Sequence, residues 1–362
     1  MLPKVGISGQ RFVVDGQPFV FRGLNIRFDP LHYHESGNRP ISTITFDMLK
    51  NFKVNILRVW LNMEMACPSA GQWSSSFFSA LDTLLTLAEQ YNIYLLLSNS
   101  QYGLSKAFGS SYTGLPAWMF QGITNVTDGM NALYNNATIQ GTSLKMQDVV
   151  GEFWRRVCSQ AKARNVVMGY DIFNEPGIRG LPASYFLEDI SAYISAIDPE
   201  KPQAVENNFI DNTYKPKIPN LFCAPHGYAG HSRAYSLERM KTMFRSDGYY
   251  IQGPQWNVPT INSEWFLATQ SEVAEWGLTD AQIAQWYDIY IRAMEEVHGT
   301  GWIYLQCESS IENLHWNSVV KPILQSYFAL NSTPPPPPPP TGGIPPILGL
   351  LGLVWLFLST RK

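Results

Sequence analysis

The chain has 362 residues, of which 45% are apolar, 13% aromatic and only 15% charged, and its formal net charge is −3. That composition supports a large core and a surface of low charge, well under the usual quarter of charged residues. No basic run occurs ahead of the last thirty residues, which excludes a nucleic-acid partner held by charge.

Taken in chain order, short apolar runs alternate with helical patterns. Residues 9–19 read as a β-hairpin turning at Asp15-Gly16. Strands are expected at 19–25, 55–60, 93–97, 167–173, 202–205, 222–226, 260–263 and 301–306. Helices are expected at about 76–91, 144–163 and 319–329. An insertion at about 102–143, rich in Gly, Ser and Asn, is long for a strand-to-helix loop and is read as a wall of a binding site. Eight strands alternating with helices predict an α/β fold whose parallel sheet closes into a (β/α)8 barrel, preceded by the hairpin.

Chemistry in such a barrel gathers at the C-terminal strand ends, so polar residues that abruptly end apolar runs are the candidates. Strand four ends in Asp171-Ile-Phe-Asn174-Glu175-Pro176 and strand seven in Asn262-Ser263-Glu264-Trp265. Strands four and seven face each other across the mouth. A carboxyl from each is what glycoside hydrolysis needs, one to donate a proton and one to attack or to activate water.

With these motifs the chain resembles glycoside hydrolase family 5, the family of many cellulases and mannanases, over about residues 9–330. Phe21-Arg22-Gly23-Leu24-Asn25 is similar to its first strand, Leu57-Arg58 to its site arginine, Asn174-Glu175-Pro176 to its acid/base motif, His226-Gly227-Tyr228 to its His-x-Tyr motif and Ser263-Glu264-Trp265 to its nucleophile motif. The resemblance implies a retaining mechanism with Glu175 as acid/base and Glu264 as nucleophile. Arg58 and Tyr228 would hold Glu264, Asn174 would bind the sugar 2-hydroxyl, and His226 would orient the site or touch the acid/base. Because Glu175 has to start protonated, its surroundings are expected to raise its pKa. Two carboxyls and water suffice, so neither cofactor nor metal is expected. His32-x-His34 has no evident third ligand.

Two departures stand against the family pattern. Strand three ends in Asn99-Ser100-Gln101-Tyr102 without the usual histidine, as mannanase-like members do, and strand eight reaches Leu305-Gln306 where a tryptophan is usual. Trp302 lies too early in that strand, whereas Trp316 in the next loop is a replacement. Trp265, beside the nucleophile, is the first choice for a sugar platform, with Trp60, Trp118 and Trp316 behind it and Gln101 lining the site. The expected activity is an endo-acting cut in a β-1,4-linked polysaccharide, glucan first and mannan second. The alternatives are another β-glycoside such as a glycolipid, or a surface carbohydrate-binding protein with weakened catalysis.

The remaining features concern location. Domains are expected at 1–330 (catalytic), 331–343 (a stiff proline-rich linker) and 344–362, an apolar stretch closed by Arg361-Lys362 that reads as a membrane anchor. A monomeric enzyme held at the cell surface or outside the cell follows. Sequons at Asn125, Asn136 and Asn331 give that location weak support. No charged start followed by an apolar run opens the chain, so no export route is read from it. Cys67, Cys158, Cys223 and Cys307 permit two disulfides or four free thiols.

Overall fold

A computed structural model of the chain describes residues 2–28, 43–109, 114–177, 180–211, 213–227, 236–246, 250–265, 275, 277–305 and 319–332. His32, His34, Tyr228, Gln306, Cys307, Trp316 and the apolar tail lie outside the described residues. Among those described, no helix is long and apolar enough to cross a membrane.

The hairpin expected at the start is a three-stranded antiparallel sheet of β1 (Val5–Ser8), β2 (Arg11–Val14) and β3 (Gln17–Pro18). Asp15 and Gly16 both take positive φ, 51° and 75°, as the tightest hairpin turns require.

Eight strands follow: β4 (Phe21–Phe28), β5 (Ile56–Asn62), β6 (Tyr94–Ser100), β7 (Val167–Asp171), β8 (Gln203–Val205), β9 (Leu221–Cys223), β10 (Asn262–Trp265) and β11 (Gly301–Tyr304). They pair in parallel, each with the next, and β11 returns to β4. The ring closes between β9 and β10 through the parallel bridges Cys223–Thr260 and His226–Glu264, with Ile261 N donating to Cys223 O at 2.9 Å and Gly227 N to Glu264 O at 3.0 Å. The result is the expected (β/α)8 barrel.

Helices clothe the outside. Ser75–Tyr91 shows why they form. Ser74 caps its first turn through Phe77 N, while Asn92 ends it in the left-handed conformation. Phe77, Leu81, Leu84, Leu85 and Ala88 are buried together on one face. Asp280–His298 begins in a reciprocal Thr279–Gln282 capping box and ends at Gly299 with φ 61°. Between β8 and β9 the described residues hold only the 3-10 turn Asn207–Phe209, so that edge of the barrel is thinly covered.

Alternation along the strands separates two apolar layers. Leu57, Val59, Leu61, Leu95 and Leu97 pack outward against the helices. Phe21, Ile56, Leu96, Met168, Ala204, Phe222, Ile261 and Ile303 pack together inside the ring. The hairpin closes this inner cluster from below. Phe12 meets Phe21 and Phe222 edge-on, with ring centroids 5.3 and 5.1 Å apart. Polar residues occupy the tier above: Asn25, Arg58, Ser98, Asp171 and Glu206 are all buried.

The insertion after β6 is packed rather than loose. It carries the helix Val126–Tyr134 and buries Leu104, Leu115, Met119, Phe120, Met130 and Leu133. Cys67, Cys158 and Cys223 are free and buried, so the two-disulfide arrangement is not made. Asn331, placed at the start of the linker, belongs to the folded body. It accepts from Arg22 Nη1 at 3.0 Å and donates to Lys53 O at 2.7 Å.

Candidate active site

Arg58 is the centre of the polar tier. Its guanidinium meets Asp171 from β7, donating from Nε at 2.8 Å, and Glu264 from β10, donating from Nη1 at 3.0 Å. Nη2 donates to Asn174 Oδ1 at 2.7 Å and to Glu206 Oε1 at 2.8 Å, and Nη1 to Asn25 Oδ1 at 3.1 Å. A fully buried cation is tolerated only with such compensation. Burial alone would pull its pKa down, but Asp171, Glu206 and Glu264 carry it above its ordinary value.

Glu175 and Glu264 come from opposite sides of the ring, and His226, following β9, joins them. Its Nδ1 lies 2.6 Å from Glu175 Oε1 and 3.8 Å from Glu264 Oε2. One atom from each of the three residues falls within 4.8 Å of the others. Arg58, paired with Glu264 at 3.0 Å, already supplies positive charge there. One oxygen of each carboxyl within 4.8 Å of the other fits a double displacement, for which the groups stand ~5–5.5 Å apart, better than a single one, which needs room for water at ~6.5–9.5 Å.

The backbone at Glu175 is unusual. Its φ is +41°, a region a glutamate rarely enters and the surroundings must enforce. Gln101 Nε2 donates to the carbonyls of Asn174 and, at 2.6 Å, Glu175. Glu175 N donates to Glu206 Oε2 at 2.5 Å. Asn174 Nδ2 donates to Gln101 O at 2.7 Å, leaving one amide proton for a ligand.

Several expectations change here. Gln101 is buried, with its amide spent on the Asn174-Glu175 backbone and on Leu104 N, so it builds the site rather than lining it. Trp265 is fully buried and packs on Tyr290 and Tyr304 at 5.0 and 5.1 Å. It offers no ring to a sugar, because its neighbour Glu264 points inward and adjacent strand residues point to opposite faces. Trp302 is likewise core, donating from Nε1 to Glu295 at 2.9 Å. Trp60 and Trp118 are half-buried, and Trp118 Nε1 donates to Cys67 O at 2.9 Å. Among the described residues the exposed aromatic at a strand end is Tyr102, 71% accessible.

The Glu175 carboxyl is also not raised. Burial pushes it up, but the hydrogen bond and charge of His226, with Arg58 behind, bring it below the ordinary carboxylate value. Glu206, which the sequence reading passed over, is fully buried on Arg58, His226 and the Glu175 amide. Its signal was the same as for Glu175 and Glu264, a carboxylate at the end of a short strand-like segment.

A parallel barrel with two close carboxyls at its C-terminal rim, one held by a buried arginine, is the arrangement that retaining glycoside hydrolysis requires. A family model, the cellulase model of glycosyl hydrolase family 5, matches residues 13–309, and the chain belongs to that family. Among curated proteins it is similar to an endoglycoceramidase from Cyanea nozakii, 20% identical over 199 residues. That match takes in 44% of this chain and 39% of the relative, so the chain spans about two fifths of that protein. Among solved structures, an endogalactoceramidase superposes with a TM-score of 0.67 at 16% identity, covering 84% of this chain and 74% of the other. Endo-glycoceramidase II from Rhodococcus sp., in a complex with a cellobiose-like imidazole, gives 0.65 at 17% identity over 84% and 76%. The catalytic domain of an endoglucanase from Thermobifida fusca gives 0.53 at 16% identity over 83% and 84%. At these identities the structural likeness is one of fold.

Proposed function

We propose that this protein is an endo-acting retaining β-glycosidase that cuts the bond between a glycan and a lipid alcohol. The observation that carries the mechanism is the approach of Glu175 and Glu264, with Arg58 on Glu264 Oε2 and His226 on Glu175 Oε1. Glu264 attacks the anomeric carbon as a carboxylate, and the bond to the leaving oxygen breaks as Glu175 gives that oxygen its proton. Water then attacks the same carbon, Glu175 takes a proton from it, and Glu264 is released. Asn174 Nδ2, which has a proton left beside its bond to Gln101 O, is assigned here to the sugar 2-hydroxyl.

The lipid aglycone is supported by the curated relative and the solved structures, several of which are glycoceramidases by name. A second reading, a β-1,4-linked glucan or mannan, is favoured by the exposed Tyr102 at the rim, a platform on which a sugar ring can stack.

The test offers lactosylceramide in detergent micelles, soluble cellulose and glucomannan to the wild type and to Glu175→Gln and Glu264→Gln. Glycan release from the micelles alone is expected, and Glu175→Gln should lower it by ~10²–10⁴-fold. A 2-deoxy-2-fluoro-β-lactoside should label the peptide holding Glu264. Release from the polymers would move the substrate to the second reading. A label on another residue would overturn the mechanism. Binding without turnover would leave a carbohydrate-binding protein.

A further inference from the structure

Glu206 has no task in the double displacement, yet it is built into the site as firmly as the residues that do. It follows β8, the short fifth barrel strand, and is completely buried. Oε2 accepts from the Glu175 amide at 2.5 Å. Oε1 accepts from Arg58 Nη2 at 2.8 Å and lies 3.0 Å from His226 Nε2. The other ring nitrogen of His226, Nδ1, is the one at 2.6 Å from Glu175 Oε1. One imidazole therefore spans two carboxyls, one at the reacting bond and one sealed behind it.

We infer that Glu175, His226 and Glu206 form a proton-sharing chain, in which Glu206 is the positioning residue that lets Glu175 hold the proton it donates. The inference rests on the reading of Glu175 as acid/base. With two mobile protons the chain has three arrangements of equal net charge. In one, His226 carries both protons between two carboxylates. In the second, Glu206 holds one and Nδ1–H donates to an ionised Glu175. In the third, Nε2–H donates to an ionised Glu206 and Nδ1 accepts from a protonated Glu175. Only the third has an acid ready for the leaving oxygen, and it requires Glu206 as an anion facing Nε2. When the glycosidic bond breaks, one proton leaves on the aglycone alcohol. When water attacks the glycosyl-enzyme, Glu175 takes one back, so the chain is restored each turnover.

The charged groups facing Glu206 are Arg58 from β5, Asp171 from β7, His226 after β9 and Glu175 after β7, with Glu264 from β10 beyond the imidazole. Burial pushes Glu206 up to about 7 against the pull of His226. Burial lowers His226, but Glu206 and Glu264 carry it up to about 10.

The test compares the full-length wild type, Glu206→Gln, Glu206→Asp and Glu175→Gln on aryl β-lactosides with a phenyl and a 2,4-dinitrophenyl leaving group. Glu206→Gln keeps an acceptor for the Glu175 amide but removes the anion. The alkaline limb of its kcat/KM profile should move down by ~1–3 pH units. Its loss should fall mainly on the phenyl substrate, which needs the acid. Glu206→Asp should keep the limb near its wild-type position. Equal losses on both substrates with an unmoved limb would make Glu206 merely structural. Glu175→Gln tests the underlying reading. Should it lose both substrates equally, the acid/base assignment fails first. The ¹⁵N titration of His226 in the free protein then still decides for Glu206, because the pairing requires Glu206→Gln to move it to lower pH and an unchanged titration would overturn it.

Discussion

Glu175 sits at φ +41° between Asn174 and a proline, and it keeps that backbone because Gln101 clamps its carbonyl and Glu206 its amide. A strained acid held from two sides is precise only while both clamps are present. Gln101→Ala should therefore lower kcat by ~10²-fold while leaving the fold intact, since a displacement of ~1 Å costs about that much. Matched kcat values alongside unchanged circular dichroism would show the clamp to be idle. At this scale the sequence was legible wherever a polar side chain interrupts an apolar run. Glu175, Glu264, Arg58 and His226 stood out in that way, and the structure brings them together. Glu206 obeyed the same rule but carried no motif around it. Trp265 was misplaced for want of parity, since a residue next to an inward carboxylate faces the helices. Gln101 was found for its position and misjudged in its partners, because which backbone carbonyls it reaches depends on how β6 and β7 are staggered, and their register shifts near Leu95 and Leu96.

At the scale of elements, all eight barrel strands and the hairpin were visible in the pattern, with edges displaced by a few residues. β5 and β6 are buried along nearly their whole length, yet Arg58 and Asn62 stand in the one and Ser98-Asn99-Ser100 in the other, so a polar side chain does not mark where pairing ends. Closure of the ring was expected from the eight strands, but the form of its seam was not legible, because β9 stops at Cys223 and the seam runs on through isolated bridges to His226. The insertion after β6 looked polar because glycines, serines and asparagines flank its apolar run Leu115–Phe120, yet that run and residues on either side of it converge to bury a small core. The hairpin's purpose became clear only in three dimensions, where Phe12 plugs the barrel base between Phe21 and Phe222. Phe12→Ala should destabilise the protein by ~3–5 kcal/mol. Denaturant unfolding checks this, and a loss under 1 kcal/mol would mean the base closes without that ring.

At the scale of the whole molecule, charge and substrate fit together. A chain with few charges suits a neutral glycan, and a lipid-linked one would sit in a membrane. The proline run and the apolar stretch behind it lie outside the described residues. The proposal for them is that they keep the barrel mouth within reach of a bilayer. Removing residues 333–362 should leave turnover of soluble lactosides unchanged and reduce turnover of lactosylceramide in vesicles several-fold. Equal rates on vesicles would dissociate the tail from substrate access. Three buried free thiols mean that the described body needs no oxidation at these positions to hold together.

The buried guanidinium of Arg58 has a consequence for how such a protein can change over generations. It answers Asp171, Glu206 and Glu264 at once, and taking away one member of a buried ionic set strands the others, at a typical cost of ~3–5 kcal/mol. No single loss of charge from that set is neutral, so a lineage must inherit the charges whole or lose them whole. The rim, where Tyr102 and the insertion behind it stand, carries no such debt. Novelty in what is cut can accumulate there, one residue at a time, above a centre that drift cannot enter.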